Sequence, residues 1–171
     1  MLCMGEISPQ LADNEAWVDQ TFEKCDDILH RQVYLGQGRQ EGLLVYVEVA
    51  VSNLMLEEHV IGLSDVQPLK SYEEGKAALL AGNGLLFLDG DTNCYKISSK
   101  GYPGLGVKKA ENEKVIRGSQ EAFTESEKIN VALIRKRLRD SRMKVEEQTV
   151  GVRSHTMTAL VYMEDLIYQG L

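Results

Sequence analysis

Two short stretches and three histidines are the parts of this sequence whose residue types could do chemistry. The stretch "GQGRQEG" at 36–42 is glycine-rich, as phosphate-binding loops are. A dinucleotide-binding loop reads GxGxxG, follows a strand and precedes a helix. Here the spacing is GxGxxxG, and the next residues, "LLVYVEV", favour a strand. We therefore predict a hairpin turn and no cofactor site.

The stretch "DGDTNC" at 89–94 begins like a calcium-binding EF-hand loop, with Asp89, Asp91 and Asn93 at the first three ligand positions. The sixth position of such a loop is a glycine and the twelfth a bidentate glutamate. Here these positions are Cys94 and Lys100, so we predict no metal site.

The histidines also predict no catalytic site. His30, His59 and His155 are scattered, and none has a metal-ligand neighbour at helical or strand spacing. Ser154 precedes His155 directly, which in a strand sends the two side chains to opposite faces and makes no nucleophile–base pair. The sequence thus predicts no catalytic residue, no metal and no cofactor, which indicates a protein that is not an enzyme.

Length and composition predict one soluble domain over 1–171. The chain is 43% hydrophobic and 26% charged, as ordinary folded domains are. Its three cysteines, Cys3, Cys25 and Cys94, lack disulfide or zinc spacing and indicate a reducing compartment. The N-terminus has no signal-peptide pattern, and the longest apolar run, 43–51, is too short to span a bilayer. We expect a cytoplasmic location.

The hydrophobic pattern predicts an α/β (α+β) fold, a mixed sheet built from three hairpins with helices packed on it. The hairpins are expected at 26–50, 85–98 and 143–165, and the strand that begins at Leu43 is expected to be central because it is apolar on both faces. Helices are expected at 13–25, 53–63, 71–82 and 119–139. Asp13 or Asn14 is expected to cap the first helix. Ser71 and Glu74 are expected to form a capping box at the start of the third helix, and Gly82 is expected to end it.

The last of these helices is long, basic and amphipathic. From Lys114 to Lys144 the sequence has nine Lys or Arg and four Asp or Glu, in a chain whose net charge is −7. At 100° per residue, four cations fall on one stripe. We predict that they form an interaction surface, with an ordinary solvated face as the alternative: Lys128, Arg135, Arg139 and Arg142.

The opposite side of this helix is expected to face the core. It carries six apolar residues, Ala122, Phe123, Ile129, Leu133, Ile134 and Leu138. Asn130 and Arg137 fall in the same sector, where an unpartnered polar group costs several kcal/mol. We predict that both are bonded and, with Arg117, act as structural polar anchors.

Four motifs in this half of the chain resemble the cytoplasmic N-terminal region of the spore germinant receptor A subunits and their paralogue, stage V sporulation protein AF. The family reads approximately E-K-V-x-R-G-[PS]-[RQ]-[DE]-G-F-x-E, N-x-A-L-I-R-R-R-I-R-D, V-G-x-R-S-x-T and Y-[IM]-E. The corresponding segments follow in the same order, Glu113–Glu125, Asn130–Asp140, Val150–Thr156 and Tyr162–Glu164. The chain departs from the family at Ala122, Gln120, Leu105 and Lys108-Lys109, which indicates a divergent member.

The resemblance implies a larger protein, in which this domain is followed by a second soluble subdomain and a membrane part. It implies a non-enzymatic module on the cytoplasmic side of the inner spore membrane, serving subunit assembly or signal relay in nutrient-triggered germination. The implied partners are other germination-receptor subunits or the protein's own membrane domain, with anionic lipid headgroups as another possible contact for the stripe.

Two other functions stay open from the sequence. The first is nucleic-acid binding by the arginine-rich helix, against which stand the pI near 5 and the absence of interleaved aromatic residues. We therefore expect no nucleic-acid partner. The second is a sensor domain for a small metabolite, for which no cluster of polar residues indicates a pocket.

Overall fold

A computed structural model describes residues 5–36, 40–49, 66–98 and 123–168 of the chain. Within these ranges the elements are α1 (Leu11–Thr21), β1 (Ile28–Leu35), β2 (Gln40–Val47), β3 (Val66–Leu69), α2 (Tyr72–Leu80), β4 (Gly84–Leu88), β5 (Cys94–Ile97), α3 (Glu127–Arg137), β6 (Met143–Val150) and β7 (Thr156–Met163). The strands form two antiparallel sheets, in the orders β1-β2-β4-β5-β3 and β6-β7.

The α+β class and the three hairpins, β1–β2, β4–β5 and β6–β7, are confirmed. The arrangement differs from one mixed sheet, because β6–β7 forms a sheet of its own. A short parallel bridge between Cys25 and Val145 connects the β6–β7 hairpin to the part of the chain that carries the larger sheet. From 148 to 157 the hairpin is exposed on both strands, so its distal half projects from the body.

The main core surrounds the two central strands of the larger sheet. Leu43, Leu44 and Val45 of β2 are consecutive and all fully buried, and Leu85 and Phe87 of β4 are buried as well. Because successive side chains of a strand point to opposite faces, both faces of this sheet are covered. The helices α1 and α2 pack on β2 and β4. The central position predicted for β2 is therefore confirmed, although the strand begins at Gln40.

A buried polar contact holds α1 against α2. The Trp17 ring stacks on Tyr72 at 4.5 Å between centroids, and the Tyr72 hydroxyl donates to Asn14 Oδ1 at 2.7 Å. Asn14 Nδ2 donates in turn to the carbonyl of Ser8 at 2.9 Å. The prediction that Asp13 or Asn14 caps this helix was wrong, because the helix begins at Leu11 and Asn14 faces the interior.

Local capping and turn signals were predicted correctly around α2 and β4–β5. Ser71 Oγ accepts a hydrogen bond from the Glu74 amide at 3.3 Å, and Gly82, with φ of 91°, follows the helix end. Gly90, with φ of 79°, provides the left-handed residue of the turn between β4 and β5. Asp91 accepts from the Tyr95 hydroxyl at 2.6 Å, which lowers the pKa of that carboxyl.

The predicted bounds of the other helices need correction. The first helix ends at Thr21 rather than at 25, and α3 covers Glu127–Arg137 rather than 119–139. Residues 123–126 are not helical, and the segment before them, like the predicted helix at 53–63, lies outside the described residues. None of the helices in the described ranges is long and apolar enough to cross a bilayer.

The strand β3 was not predicted. It is four residues long and contains Pro68, which lowers the strand propensity of the segment. Among the described strands it pairs with β5 alone, so it lies at a sheet edge, where the missing N–H of a proline is tolerated.

A test of the close strand packing uses two glycines. A Cβ on Gly42 of β2 would lie 3.0 Å from the Phe87 carbonyl oxygen and 3.2 Å from Leu86 Cδ1, whereas one on Gly84 would meet Ile97 Cβ at 3.6 Å. We expect Gly42→Ala to lower the free energy of unfolding by about 1–3 kcal/mol through overpacking. Gly84→Ala should change it by less than about 1 kcal/mol. Urea unfolding followed by circular dichroism measures both; equal effects would contradict the packing described.

Candidate functional site

Residues 24–27, between α1 and β1, connect the main body to the hairpin β6–β7, and we call them the junction segment. Lys24 has φ of 58°, a left-handed conformation that is uncommon for a residue other than glycine. Its carbonyl accepts from the Val145 amide at 2.8 Å, and the Asp26 amide donates to the Val145 carbonyl at 2.9 Å. The Asp26 carboxylate also accepts from the Glu147 amide at 2.7 Å. The junction segment thus pairs with β6 like a short strand.

A buried arginine fastens α3 to the same place. The Arg135 side chain is 0% exposed, and its Nε and Nη2 donate to the two carboxylate oxygens of Asp27 at 2.8 and 2.7 Å. Its Nη1 donates to the carbonyls of Met143 and Asp140 at 3.1 and 3.2 Å. One guanidinium therefore bonds to the junction segment, to the turn after α3 and to the first residue of β6. The paired geometry with Asp27 is the strong, bidentate kind.

The electrostatics of this pair follow from its burial. Burial alone lowers the pKa of Arg135, but the hydrogen bonds and charge of Asp27 outweigh it, and the pKa ends above its usual value. Desolvation of both ions offsets much of their attraction, so such a pair contributes little net stability. Loss of one partner, however, leaves the other charge buried and unpaired. The pair therefore fixes where α3 lies on the body.

A second ion pair, between Lys128 and Glu48, also joins α3 to the main body and lies closer to solvent. Lys128 Nζ is 2.6 Å from Glu48 Oε1, and the Glu48 amide donates to the Asp27 carbonyl at 2.9 Å. The hydrogen bond to Glu48 raises the pKa of Lys128, while burial raises the pKa of the nearby Glu147. Because both partners of the Lys128–Glu48 pair are partly solvated, it orients α3 more than it stabilises the fold.

The apolar side chains of α3 are divided between two cores. Ala132 packs into the main core, and its neighbour Val131 packs with Met143 and Val145 under the β6–β7 hairpin. The helix therefore lies between the two sheets and contributes to both. The Arg135 pair lies one turn further along the same side.

The contact between the junction segment and β6 also contains a buried thiol, that of Cys25. Cys25 Sγ lies 3.4 Å from the Met143 carbonyl, and burial raises its pKa, with Arg135 offsetting part of the effect. Cys94, in the main core, has its pKa raised by burial to about 12. In the described ranges no three His, Cys, Asp or Glu side chains are grouped as a metal ion would need.

The four cations predicted as one stripe do not share a face. Arg135 is buried and Lys128 is partly buried in an ion pair, so both face the body. Arg139 and Arg142 are exposed and follow the helix, which ends at Arg137. The prediction was wrong about the geometry because it extended the 100° spacing past the helix end and assumed that the basic side faces solvent. An interaction role for the exposed members stays a prediction.

The polar anchors also differ from their predicted positions. Arg137 is exposed, and the buried guanidinium expected there is that of Arg135. Asn130 is bonded, as predicted, but to its own segment: its Oδ1 accepts from the Thr124 amide at 2.7 Å and its Nδ2 donates to the Thr124 carbonyl at 2.8 Å. Arg117 lies outside the described residues. The spacing of Arg135 from Val131 and Ala132 is the signal that could have indicated its inward orientation.

Comparisons with known proteins agree with this architecture. The N-terminal domain of the A subunit of the Bacillus megaterium spore germinant receptor GerK3 superposes with a TM-score of 0.74 at 17% identity, over 97% of this chain and 69% of that chain. The fold is thus that of a germinant receptor A-subunit N-terminal domain. The family model of the Bacillus/Clostridium GerA spore germination proteins matches residues 16–171, and the chain belongs to this family.

Three curated relatives from Bacillus subtilis illustrate the match. The uncharacterized membrane protein YfkQ is 29% identical over 94% of this chain and 35% of its own length. Stage V sporulation protein AF is 33% identical over 60% of this chain and 21% of its own length. Spore germination protein KA is 24% identical over 94% of this chain and 34% of its own length. The chain thus spans about a third or less of these relatives.

A double-mutant cycle tests the buried pair. We expect Arg135→Met and Asp27→Leu each to lower the free energy of unfolding by about 3–5 kcal/mol, because each leaves a buried charge unpaired. The double variant should be less destabilised than either single variant, because an apolar pair leaves no buried charge unpaired. Arg139→Met, at an exposed position, is the control and should change stability by less than about 0.5 kcal/mol. Additive losses in urea unfolding would show that the two side chains are not coupled.

Thiol labelling tests whether the contact between the junction segment and β6 is closed to solvent. The raised pKa and burial of Cys25 and Cys94 keep both as protonated, inaccessible thiols at pH 8. In the folded protein we expect iodoacetamide to modify them at least about 100-fold more slowly than in urea, as read by peptide mass spectrometry. Rapid native labelling of Cys25 would show that the junction segment separates from β6.

Proposed function

We propose that this chain is a non-enzymatic domain of a larger spore germination receptor-type membrane protein, placed on the cytoplasmic side of the inner spore membrane. Its role is subunit assembly or relay of a conformational signal during nutrient-triggered germination. The family match over residues 16–171 supports the germination context. A second soluble subdomain and a membrane part would account for the additional length of its relatives.

The buried Arg135–Asp27 pair is the observation that supports a relay. It joins α3 and the start of β6 to the junction segment through bonds with fixed directions. A displacement applied to the hairpin β6–β7 is therefore carried to α3 and to the main body, instead of being absorbed at a soft apolar contact. Rigid connection of two parts is what a mechanical relay needs.

The proposed partners are other receptor subunits or the membrane part of the same protein. Arg139 and Arg142 are the exposed members of the predicted contact set. Arg142 is bonded to Asp140 and Asp165, each at 2.6 Å, whereas Arg139 Nε donates to the Lys136 carbonyl. Arg139 is thus the better candidate for an acidic partner surface. Anionic lipid headgroups would offer similar charge.

A genetic experiment in the source organism tests this function. Deletion of the gene should slow the loss of optical density of its spores in at least one nutrient mixture. Replacement by the Asp27→Leu/Arg135→Met double variant should leave the amount of protein in the inner membrane close to wild type but slow germination, because an apolar pair lacks the directional bonds. Arg31→Met, at an exposed position of β1 outside the proposed contacts, is the matched single-site control for protein level and folding.

The outcomes separate the alternatives. Normal germination of the deletion strain in all nutrient mixtures would contradict a germination role. If spores of the deletion strain germinate slowly but spores with the double variant germinate normally, the relay role is contradicted and the assembly role still stands. Loss of partner subunits from the membrane in the deletion strain would support assembly.

A further inference from the structure

The side of α3 away from the junction segment carries an apolar groove of about 310 Å³. We call it the α3 groove, and its described lining is Phe123, Leu133, Ile134, Arg137 and Leu138. Leu133 is only 4% exposed and forms the floor, whereas Phe123 and Leu138 are 68% and 46% exposed and form the rim. Large apolar side chains grouped at a concave surface mark an interaction site more often than scattered ones do.

The α3 groove is distinct from the face that packs on the body. Positions 133, 134, 137 and 138 are spaced i, i+1, i+4 and i+5, so they form one side of the helix. Ala132 and Arg135, which face the body, lie on another side. The helix is therefore apolar on two sides: Ala132 packs into the main core, and Ile134, which lines the groove, also packs against the core of the β6–β7 hairpin.

The charge around the groove indicates the chemistry of its occupant. Arg137 lines the groove near the end of the helix, and Arg139 follows with its side chain exposed. The nearest carboxylate along the chain, Asp140, is bonded to Arg142, which lowers its pKa to about 2. A positive rim around an apolar floor is complementary to a surface that is both acidic and apolar.

The shape favours a protein partner over a bilayer. A bilayer takes up apolar side chains that protrude, whereas the floor of this groove at Leu133 is recessed between Phe123 and Leu138. An amphipathic helix fills such a groove with side chains at i, i+3, i+4 and i+7. Its flanking carboxylates would then lie within reach of Arg137 and Arg139.

We propose that the α3 groove binds an acidic amphipathic helix of a partner polypeptide. The inference rests on the proposed assembly function, because it names the surface and the partner chemistry for that assembly. A partner bound in the groove would contact the same helix that Arg135 holds to the junction segment. Assembly and relay would then both act through α3.

Two designed peptides test the partner chemistry on the 171-residue chain. Each is about 15 residues long, with leucine at i, i+3, i+4 and i+7 and either glutamate or lysine at the other positions. We expect the glutamate peptide to bind at least about 10-fold more tightly than the lysine peptide in fluorescence anisotropy. Methyl NMR shifts on binding should be concentrated at Leu133, Ile134 and Leu138.

Charge reversal and matched controls locate the site. Leu138→Asp should weaken the glutamate peptide at least about 10-fold, and Arg139→Glu should weaken it while strengthening the lysine peptide. The controls are Val152→Asp and Arg153→Glu at the exposed hairpin tip, where the same changes should leave binding unaltered. Circular dichroism checks that every variant is folded.

Three results of the binding experiments would overturn the inference. The first is failure of both peptides to bind, and the second is binding that the hairpin-tip controls weaken as much as the groove variants do. The third is binding to vesicles containing phosphatidylglycerol, lost in Leu138→Asp, without binding of either peptide, because this would make the groove a membrane contact. In spores, normal germination and normal partner retention with Leu138→Asp, beside a defective deletion strain, would remove the groove inference and leave the proposed function standing.

Discussion

The guanidinium of Arg135 is the constraint on which the arrangement of the domain depends. A charge with no exposed surface needs hydrogen-bond acceptors, and each of the three guanidinium nitrogens finds at least one on Asp27, Asp140 or Met143. The three segments that supply them are therefore held in one geometry. Apolar contact alone has no fixed direction and would tolerate sliding of α3, whereas the planar fork of an arginine requires its acceptors in one geometry.

This constraint matters because the smaller sheet cannot define its own position. A two-stranded hairpin is at best marginally stable alone. Its core consists of Val131, Met143 and Val145 with a few partly buried neighbours. The strand-like pairing with residues 24–27 and the buried ion pair supply what this small core lacks. The larger sheet, with α1 and α2 packed on it, has a core of its own and serves as the fixed support.

The features that sequence predicts well here are those whose cause is local. Hairpins, the Ser71 cap and the glycines at 82 and 90 depend on residues within one turn of each other. The failures share a different cause, because the inward orientation of Arg135 depends on an aspartate 108 positions away in the chain. No local pattern contains Asp27 as a partner, so a helical projection with the wrong ends assigned the burial to the wrong arginine.

The projecting half of the β6–β7 hairpin forms an arm that extends away from the junction segment. From Val145, where the junction segment holds β6, to Val150 the strand extends about 17 Å at about 3.4 Å per residue. A tilt of about 10° at Val145 would therefore displace the end of the strand by about 3 Å, about the length of one residue of a strand. Because α3, the junction segment and the start of β6 are bonded to one another, a small rotation of these segments as a unit becomes a shift at the hairpin tip that is large enough to make or break contacts there.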